Sequence, residues 1–182
     1  MTLYREKQKE VFSALSEKLG IKNPMESPKI EKIVVNVGTG SKMKKDRFAN
    51  EFISEQLAKI TGQRPAPRAA KASIAGFKIR QGDKVGLSVT LRGEKMISFF
   101  DKLVNIALPR TKDFRGINPK SVDEMGNLTL GIKEHTIFPE TGDEELNKIF
   151  GLSVTIVTSL ENAEDAREYL GYLGVPFKKE DK

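Results

Sequence analysis

The sequence predicts an α+β fold, in which a mostly antiparallel sheet has its helices packed on one face. Helix-like and strand-like segments alternate irregularly, and two candidate strands, 128–133 and 152–158, follow one another late in the chain. A third candidate strand, 85–92, shows strict alternation of apolar and polar side chains. The chain of 182 residues is 38% hydrophobic, which is enough to bury a core.

Four segments are predicted to be helices because their apolar residues recur at helical spacing. Glycine follows three of them as a C-terminal stop, and Asp46 is a candidate N-cap for the second. The third is expected to bury Met96, Phe99, Phe100, Leu103 and Ile106. The four predicted helices are residues 3–19, 46–60, 94–107 and 162–173.

The first predicted strand, 30–37, directs Ile33, Val35 and Val37 to one face and Asn36 to the other. The strand 85–92 likewise buries Leu87, Val89 and Leu91 and turns Ser88, Thr90 and Arg92 outward. A polar and cationic open face of this kind is one form of RNA platform. It has no exposed strand aromatics, so base stacking on the sheet is not expected.

The chain is predicted to be a single domain, 1–182, with two long loops, 63–84 and 109–127, as excursions. It has no internal repeat and no domain linker. The absence of cysteine excludes a disulfide framework and fits a reducing, cytoplasmic location. No export signal and no apolar run of about 18 residues occurs, so no membrane partner is expected.

The most informative local feature is a stretch without acids, residues 56–82, which lies between Glu55 and Asp83. Like charges repel, so a long stretch of one sign indicates a polyanionic partner, and nucleic acid is the commonest. The alternative is a flexible basic loop with no partner. The cations of this stretch are Lys59, Arg64, Arg68, Lys71, Lys78 and Arg80.

Charge is also uneven over the whole chain. Residues 1–120 hold 25 Lys and Arg against 12 Asp and Glu, a net +13, and residues 121–182 hold 6 against 13, a net −7. These sums give the total of +6. The acidic part faces either solvent or a basic protein, and the sequence leaves both open.

The GTG at 38–40 follows a strand as a dinucleotide-binding loop would, but Met43 stands where that motif needs its third glycine. A tight turn is the favoured interpretation. The loop could still offer backbone N–H groups to a phosphate, with Lys42, Lys44 and Lys45 nearby.

No catalytic site, metal site or cofactor is predicted. His135 is the only histidine and has no metal-type spacing around it, so a structural role is favoured. The acids Asp143, Glu144 and Glu145 follow a glycine and are typical of the first turn of a helix. Phe77, beside Gly76 in the basic stretch, either stacks on a base or ribose or folds back into the core.

Several strings resemble the bacterial large-subunit ribosomal protein L5 family, in order and over nearly the whole chain. The first three are KIVVNVGTG at 32–40, KITGQRP at 59–65 and AKASIAGFKIRQG at 70–82. The others are VTLRGEKM at 89–96, LVNIALPRTKDFRGINPKS at 103–121, NLTLGIKEHTIFPE at 127–140 and VTIVTS at 154–159.

The resemblance implies a structural constituent of the large subunit that binds 5S rRNA in the central protuberance, in the cytoplasm. It further implies contact with P-site tRNA through a basic loop and an inter-subunit bridge to a basic small-subunit head protein. The partners would include 23S rRNA and other proteins of the protuberance.

The resemblance also implies three sets of site residues. The set for 5S rRNA falls on Asn36, Gln63 and Thr90, with Arg92 beside them. The cations of the neighbouring basic segments, Lys42, Lys44, Lys45 and Arg64, are predicted to join this set. The tRNA loop, 71–81, contributes Lys71, Ser73, Gly76, Phe77, Lys78 and Arg80. The bridge uses the 109–121 loop with Arg110, Lys112, Phe114 and Arg115, and part of 134–148.

Two other functions stay open at this stage. An enzyme acting on RNA or a nucleotide would need an acid or base cluster beside the basic stretch, and residues 56–82 have no acid. A general nucleic-acid chaperone would bind unrelated RNA as tightly as 5S rRNA at equal salt.

Overall fold

A computed structural model describes residues 3–40, 49–77, 79–112, 114–141 and 149–178. It contains a five-stranded antiparallel sheet with strand order β2-β3-β1-β5-β4, which confirms the predicted α+β class. The strands are β1 (Ile30–Gly38), β2 (Ala66–Ala69), β3 (Lys84–Leu91), β4 (Leu128–Ile132) and β5 (Leu152–Thr158).

The alternation of side chains in the strands follows the sequence. In β1 the side chains of Ile33, Val35 and Val37 are buried, and Asn36 is exposed. Strand β5 alternates between buried and half-buried positions along its whole length. Each of these strands therefore has one face in the core and one open face, as a half-covered antiparallel sheet requires.

One position on the open face is less accessible than expected. Ser88 of β3 is only 6% exposed. β3 lies between β2 and β1, and Ser88 pairs with Ala66 of β2. A small side chain between two paired strands is shielded by its neighbours, so Ser88 contributes little to the open face.

The described residues include four helices: α1 (Leu3–Leu19), α2 (Ala49–Thr61), α3 (Gly93–Lys102) and α4 (Ala163–Leu173). Gly20, Gly62 and Gly174, the predicted stops, all have positive φ, between 65° and 106°. This left-handed conformation is the one that favours glycine after a helix. The predicted N-cap, Asp46, lies outside the described residues.

The burial predicted for Ile106 is wrong, because α3 does not continue as an α-helix to residue 107. It passes into a π-helical turn, Leu103–Ala107, where the N–H of Leu108 donates to the carbonyl of Leu103 at 2.9 Å. The wider turn shifts the helical register. Ile106 is consequently 43% exposed, and Ala107 and Leu108 are buried instead.

The chain divides into two compact units. The first comprises residues 1–33, 92–130 and 155–182, and within it α1 packs on α3 and α4. The second comprises residues 34–91 and 131–154, and within it α2 packs on β3. The single-domain organisation stays a prediction. In the described segments, no helix is long and apolar enough to cross a membrane.

Candidate nucleic-acid interface

The open face of the sheet carries two of the predicted site residues in the second unit. Asn36 on β1 is exposed, with buried Val35 and Val37 on either side of it in the chain. Thr90 on the neighbouring strand β3 is half-buried between buried Val89 and Leu91. Because side chains alternate along a strand, Asn36 and Thr90 both point away from the core.

Gln63 contacts strand β3 at Thr90, although the two residues are 27 positions apart in the chain. Its side-chain Nε2 donates to the backbone carbonyl of Thr90 at 3.1 Å. The hydroxyl of Thr61, at the end of α2, accepts from the Gln63 N–H at 3.3 Å and donates to the Leu57 carbonyl at 2.7 Å. The end of the helix thus fixes the start of the segment that reaches the sheet.

The described cations of this set differ in their surroundings. Arg92 follows Thr90 by two residues and is exposed at the N-cap position of α3. Arg64 is also exposed and lines a groove of about 540 Å³ beside α2, where Glu51 and Glu55 lie as well. The predicted contacts Lys42, Lys44 and Lys45 lie outside the described residues.

The structure adds Ser153, a residue that the sequence reasoning missed. It lies on β5, next to β1, and its hydroxyl donates to the backbone carbonyl of Asn36 at 3.5 Å. The alternation in the strand LSVTIVT already indicates that Ser153 faces away from the core, because it lies between buried Leu152 and Val154. Strand order was needed to show that it neighbours Asn36.

Beyond β2 and β3 the chain forms a hairpin extension, residues 70–83, which we call the arm. At its base the N–H of Ala70 donates to the carbonyl of Asp83 at 2.8 Å, and the N–H of Gly82 donates back to Ala70 at 3.0 Å. Near its tip Ile74 and Ile79 exchange backbone hydrogen bonds of 2.9 and 3.3 Å. Much of the acid-free stretch is therefore a paired hairpin.

Phe77 lies in a short 3₁₀ turn, Ala75–Phe77, at the tip of the arm. Its side chain is 61% exposed, so it does not fold back into the core, which was one of the two alternatives from the sequence. The predicted contacts Lys71, Ser73, Gly76 and Arg80 are exposed on the same arm. Lys78 lies outside the described residues.

The third predicted set lies in the first unit, after the π-helical turn. Arg110, Lys112 and Arg115 are exposed, and Phe114 is half-buried. The segment is anchored just beyond these residues, where the N–H of Ile117 donates to the Pro176 carbonyl at 2.8 Å.

Among the other residues considered in the sequence, His135 and the GTG turn make contacts that stabilise the fold. His135 is 1% exposed, stacks on Phe150 at 4.1 Å between ring centroids, and accepts from the Phe150 N–H through Nδ1 at 3.4 Å. The N–H of Thr39 donates to the Val85 carbonyl at 2.9 Å, so this amide of the GTG continues the β1–β3 pairing. The acids 143–145 lie outside the described residues.

A polar open sheet face beside an exposed basic hairpin is typical of RNA-binding proteins. Two family models match the chain. The model described as "Ribosomal protein L5" matches residues 23–80, and the model of the C-terminus of the same ribosomal L5 family matches residues 84–177.

Curated relatives agree with these matches. The chain is 48% identical to large ribosomal subunit protein uL5 of Anaeromyxobacter sp. (strain Fw109-5), covering 94% of this chain and 95% of the relative. It is 50% identical to the uL5 of Dictyoglomus turgidum, covering 98% and 100%. With the uL5 of Heliobacterium modesticaldum the identity is 47%, covering 95% and 96%.

The chain therefore belongs to the ribosomal protein L5 family, which confirms the resemblance found in the sequence. It is a structural, RNA-binding component of the ribosome and not an enzyme. As a ribosomal protein it is located in the cytoplasm.

Proposed function

We propose that this chain is a constituent of the large ribosomal subunit that binds 5S rRNA through the open sheet face of its second unit. The observation that carries the proposal is the Gln63–Thr90 hydrogen bond of 3.1 Å. It joins two predicted contact residues that are distant in sequence, and Asn36 lies on the strand beside Thr90.

The chemistry of these side chains suits RNA. An amide and a hydroxyl both donate and accept hydrogen bonds, so they can bind base edges and 2′-hydroxyl groups. Arg92 and Arg64, which follow Thr90 and Gln63 closely in the chain, would bind phosphates. Phosphate contacts supply most of the affinity, and the polar groups of the sheet supply selectivity.

The arm and the basic segment 110–115 extend this proposal. The arm, with Phe77 at its tip and Lys71 and Arg80 along it, would contact P-site tRNA. The exposed Arg110, Lys112 and Arg115 would take part in a bridge to a small-subunit head protein. The 23S rRNA and neighbouring proteins of the central protuberance would complete the surroundings.

The test is the affinity for 5S rRNA of a double variant, Asn36→Ala with Thr90→Val. Each lost polar contact costs about 0.5–1.5 kcal/mol, so we expect the loss of two to weaken binding about 5- to 140-fold. Circular dichroism and the midpoint of thermal unfolding should change little, because both residues lie on the open face.

A matched control is Ser13→Ala with Asn105→Ala, which also removes one hydroxyl and one amide. Both residues are exposed on helical segments of the first unit, and among the described residues their side chains hydrogen-bond to the nearby carbonyls of Glu10 and Asp101. The control should bind 5S rRNA like the unaltered chain. Unchanged affinity in the Asn36 and Thr90 variant would refute the sheet face as the binding site.

A further inference from the structure

We infer that Asp83, the acid that ends the acid-free stretch, is a positioning residue that holds the arm in shape for RNA. Its Oδ2 accepts the backbone N–H of Arg80 at 2.7 Å. Asp83 itself is exposed, and the structure gives it no ion pair within the described residues. The inference rests on the proposed contact between the arm and tRNA.

Asp83 joins both sides of the arm. Its own N–H donates to the Arg80 carbonyl at 3.1 Å, and its carbonyl accepts from Ala70 on the opposite side at 2.8 Å. Only the side-chain bond to Arg80 depends on the residue type. That bond closes the turn at residues 80–83, where the second side of the arm returns to its base.

A second side chain, that of Ser73, also holds the two sides of the arm together, closer to the tip. The hydroxyl of Ser73 accepts the backbone N–H of Gln81 at 2.9 Å. Beyond it, the Ile74–Ile79 pair closes the tip, and the N–H of Phe77 donates to Ile74 at 3.2 Å. These contacts connect the base of the arm to the residue that is exposed at its tip.

If Asp83 acted through its charge alone, its replacement would change RNA binding in the opposite direction from a positioning role. Removing a carboxylate raises the positive charge of the arm and should strengthen binding to RNA. Positioning predicts weaker binding, because a loosened arm pays an ordering cost when it binds. The two effects can be separated by comparing a variant that loses only the charge with one that loses both the charge and the hydrogen-bond acceptor.

The experiment compares Asp83→Asn, which loses the charge but keeps an acceptor, with Asp83→Ala, which loses both. Large subunits lacking this chain are reconstituted with each variant and paired with small subunits. The dissociation rate of deacylated tRNA from the P site is then measured. We expect faster dissociation, by about three- to tenfold, with Asp83→Ala than with Asp83→Asn.

Amide hydrogen exchange of the free protein supplies a readout without RNA. The Arg80 amide should exchange about three- to tenfold faster in Asp83→Ala than in Asp83→Asn, with the sheet amides unchanged. Ser73→Ala should likewise speed exchange at Gln81. Incorporation of each variant into subunits is checked by its stoichiometry.

Equal tRNA dissociation with the Asn and Ala variants would overturn the inference. If arm truncation itself, by deletion of residues 71–81, left tRNA dissociation unchanged, the proposed tRNA contact would fail instead. The exchange comparison tells these failures apart, because it depends on the arm alone.

Discussion

Two tyrosines on α4 show how burial changes the contribution of a hydroxyl hydrogen bond to stability. Tyr169 is fully buried and donates to Gln8 Oε1 at 2.7 Å, whereas Tyr172 is bonded to Glu10 Oε2 at 3.3 Å on an exposed surface. Both acceptors lie on α1. Tyr169 is buried, so its hydrogen bond is partly shielded from water, whereas the exposed Glu10 regains water when the Tyr172 hydroxyl is removed. The Tyr169 bond should therefore contribute more to stability.

We therefore expect Tyr169→Phe to lower the free energy of unfolding by about 1–2 kcal/mol. Tyr172→Phe, the matched control, should change it by less than about 0.5 kcal/mol. Urea unfolding of both variants measures the difference. Equal effects would contradict the role of burial.

Burial also raises the pKa of Tyr169 far above its ordinary value, with Tyr4 adding to the shift. The unfolded chain then releases this proton above about pH 10 while the folded chain keeps it. Its contribution to stability is complete below about pH 10 and is lost as the pH rises further. In Tyr169→Phe the alkaline loss of stability should be less steep, by up to about 1.4 kcal/mol per pH unit. A series of unfolding curves from about pH 8 to about pH 11 measures this, and an unchanged slope would contradict it.

At the scale of the elements, the turn before β4 depends on Gly126. Its φ is 73°, and a Cβ there would lie 2.4 Å from the backbone oxygen of Leu160. The same Gly126 carbonyl accepts the hydroxyl of Thr158 at 2.8 Å. Strand β5 and this turn are therefore in contact at a point that has no room for a side chain.

Gly126→Ala is expected to cost about 3 kcal/mol or more, because the backbone has to move. Gly20→Ala is the control, since Gly20 has a similar φ of 65° but open space around it. That change should cost only about 1 kcal/mol. Chemical denaturation distinguishes them, and similar losses would show that the close contact with Leu160 is unimportant.

The π-helical turn after α3 gives a second prediction for an element. Leu103 is fully buried, so Leu103→Ala should cost about 2–5 kcal/mol. Ile106 faces outward, so Ile106→Ala should cost less than about 1 kcal/mol. The comparison is made by thermal unfolding. A cost at Ile106 that matched the cost at Leu103 would mean that the helix continues in α-helical register.

For the molecule as a whole, charge and shape make separable contributions to RNA binding. Binding to 5S rRNA and to an unrelated RNA of equal length is compared over a salt series. Phosphate contacts should give both a steep loss of affinity with salt. Selective binding to 5S rRNA should persist at physiological salt, because the proposed hydrogen bonds from Asn36, Gln63 and Thr90 depend less on salt than phosphate contacts do. Equal binding to both RNAs at every salt concentration would favour a general nucleic-acid chaperone.

The amino-acid sequence alone was enough to predict the α+β class, the strand faces apart from the shielded Ser88, the helix stops and the family. Periodicity and glycine conformation are local properties, and the family strings run in order along nearly the whole chain. The open positions of Asn36 and Thr90 followed from alternation within single strands.

Which distant residues meet depends on the tertiary structure. Gln63 reaches Thr90 because α2 ends beside β3, and Ser153 neighbours Asn36 because β5 pairs next to β1. The outward turn of Ile106 required the π-helical register, which apolar spacing does not encode. The exposure of Phe77 and the bond between Asp83 and Arg80 likewise depend on how the hairpin closes. Contacts between segments far apart in the chain are set by packing and strand order, and neither has a local signature in the sequence.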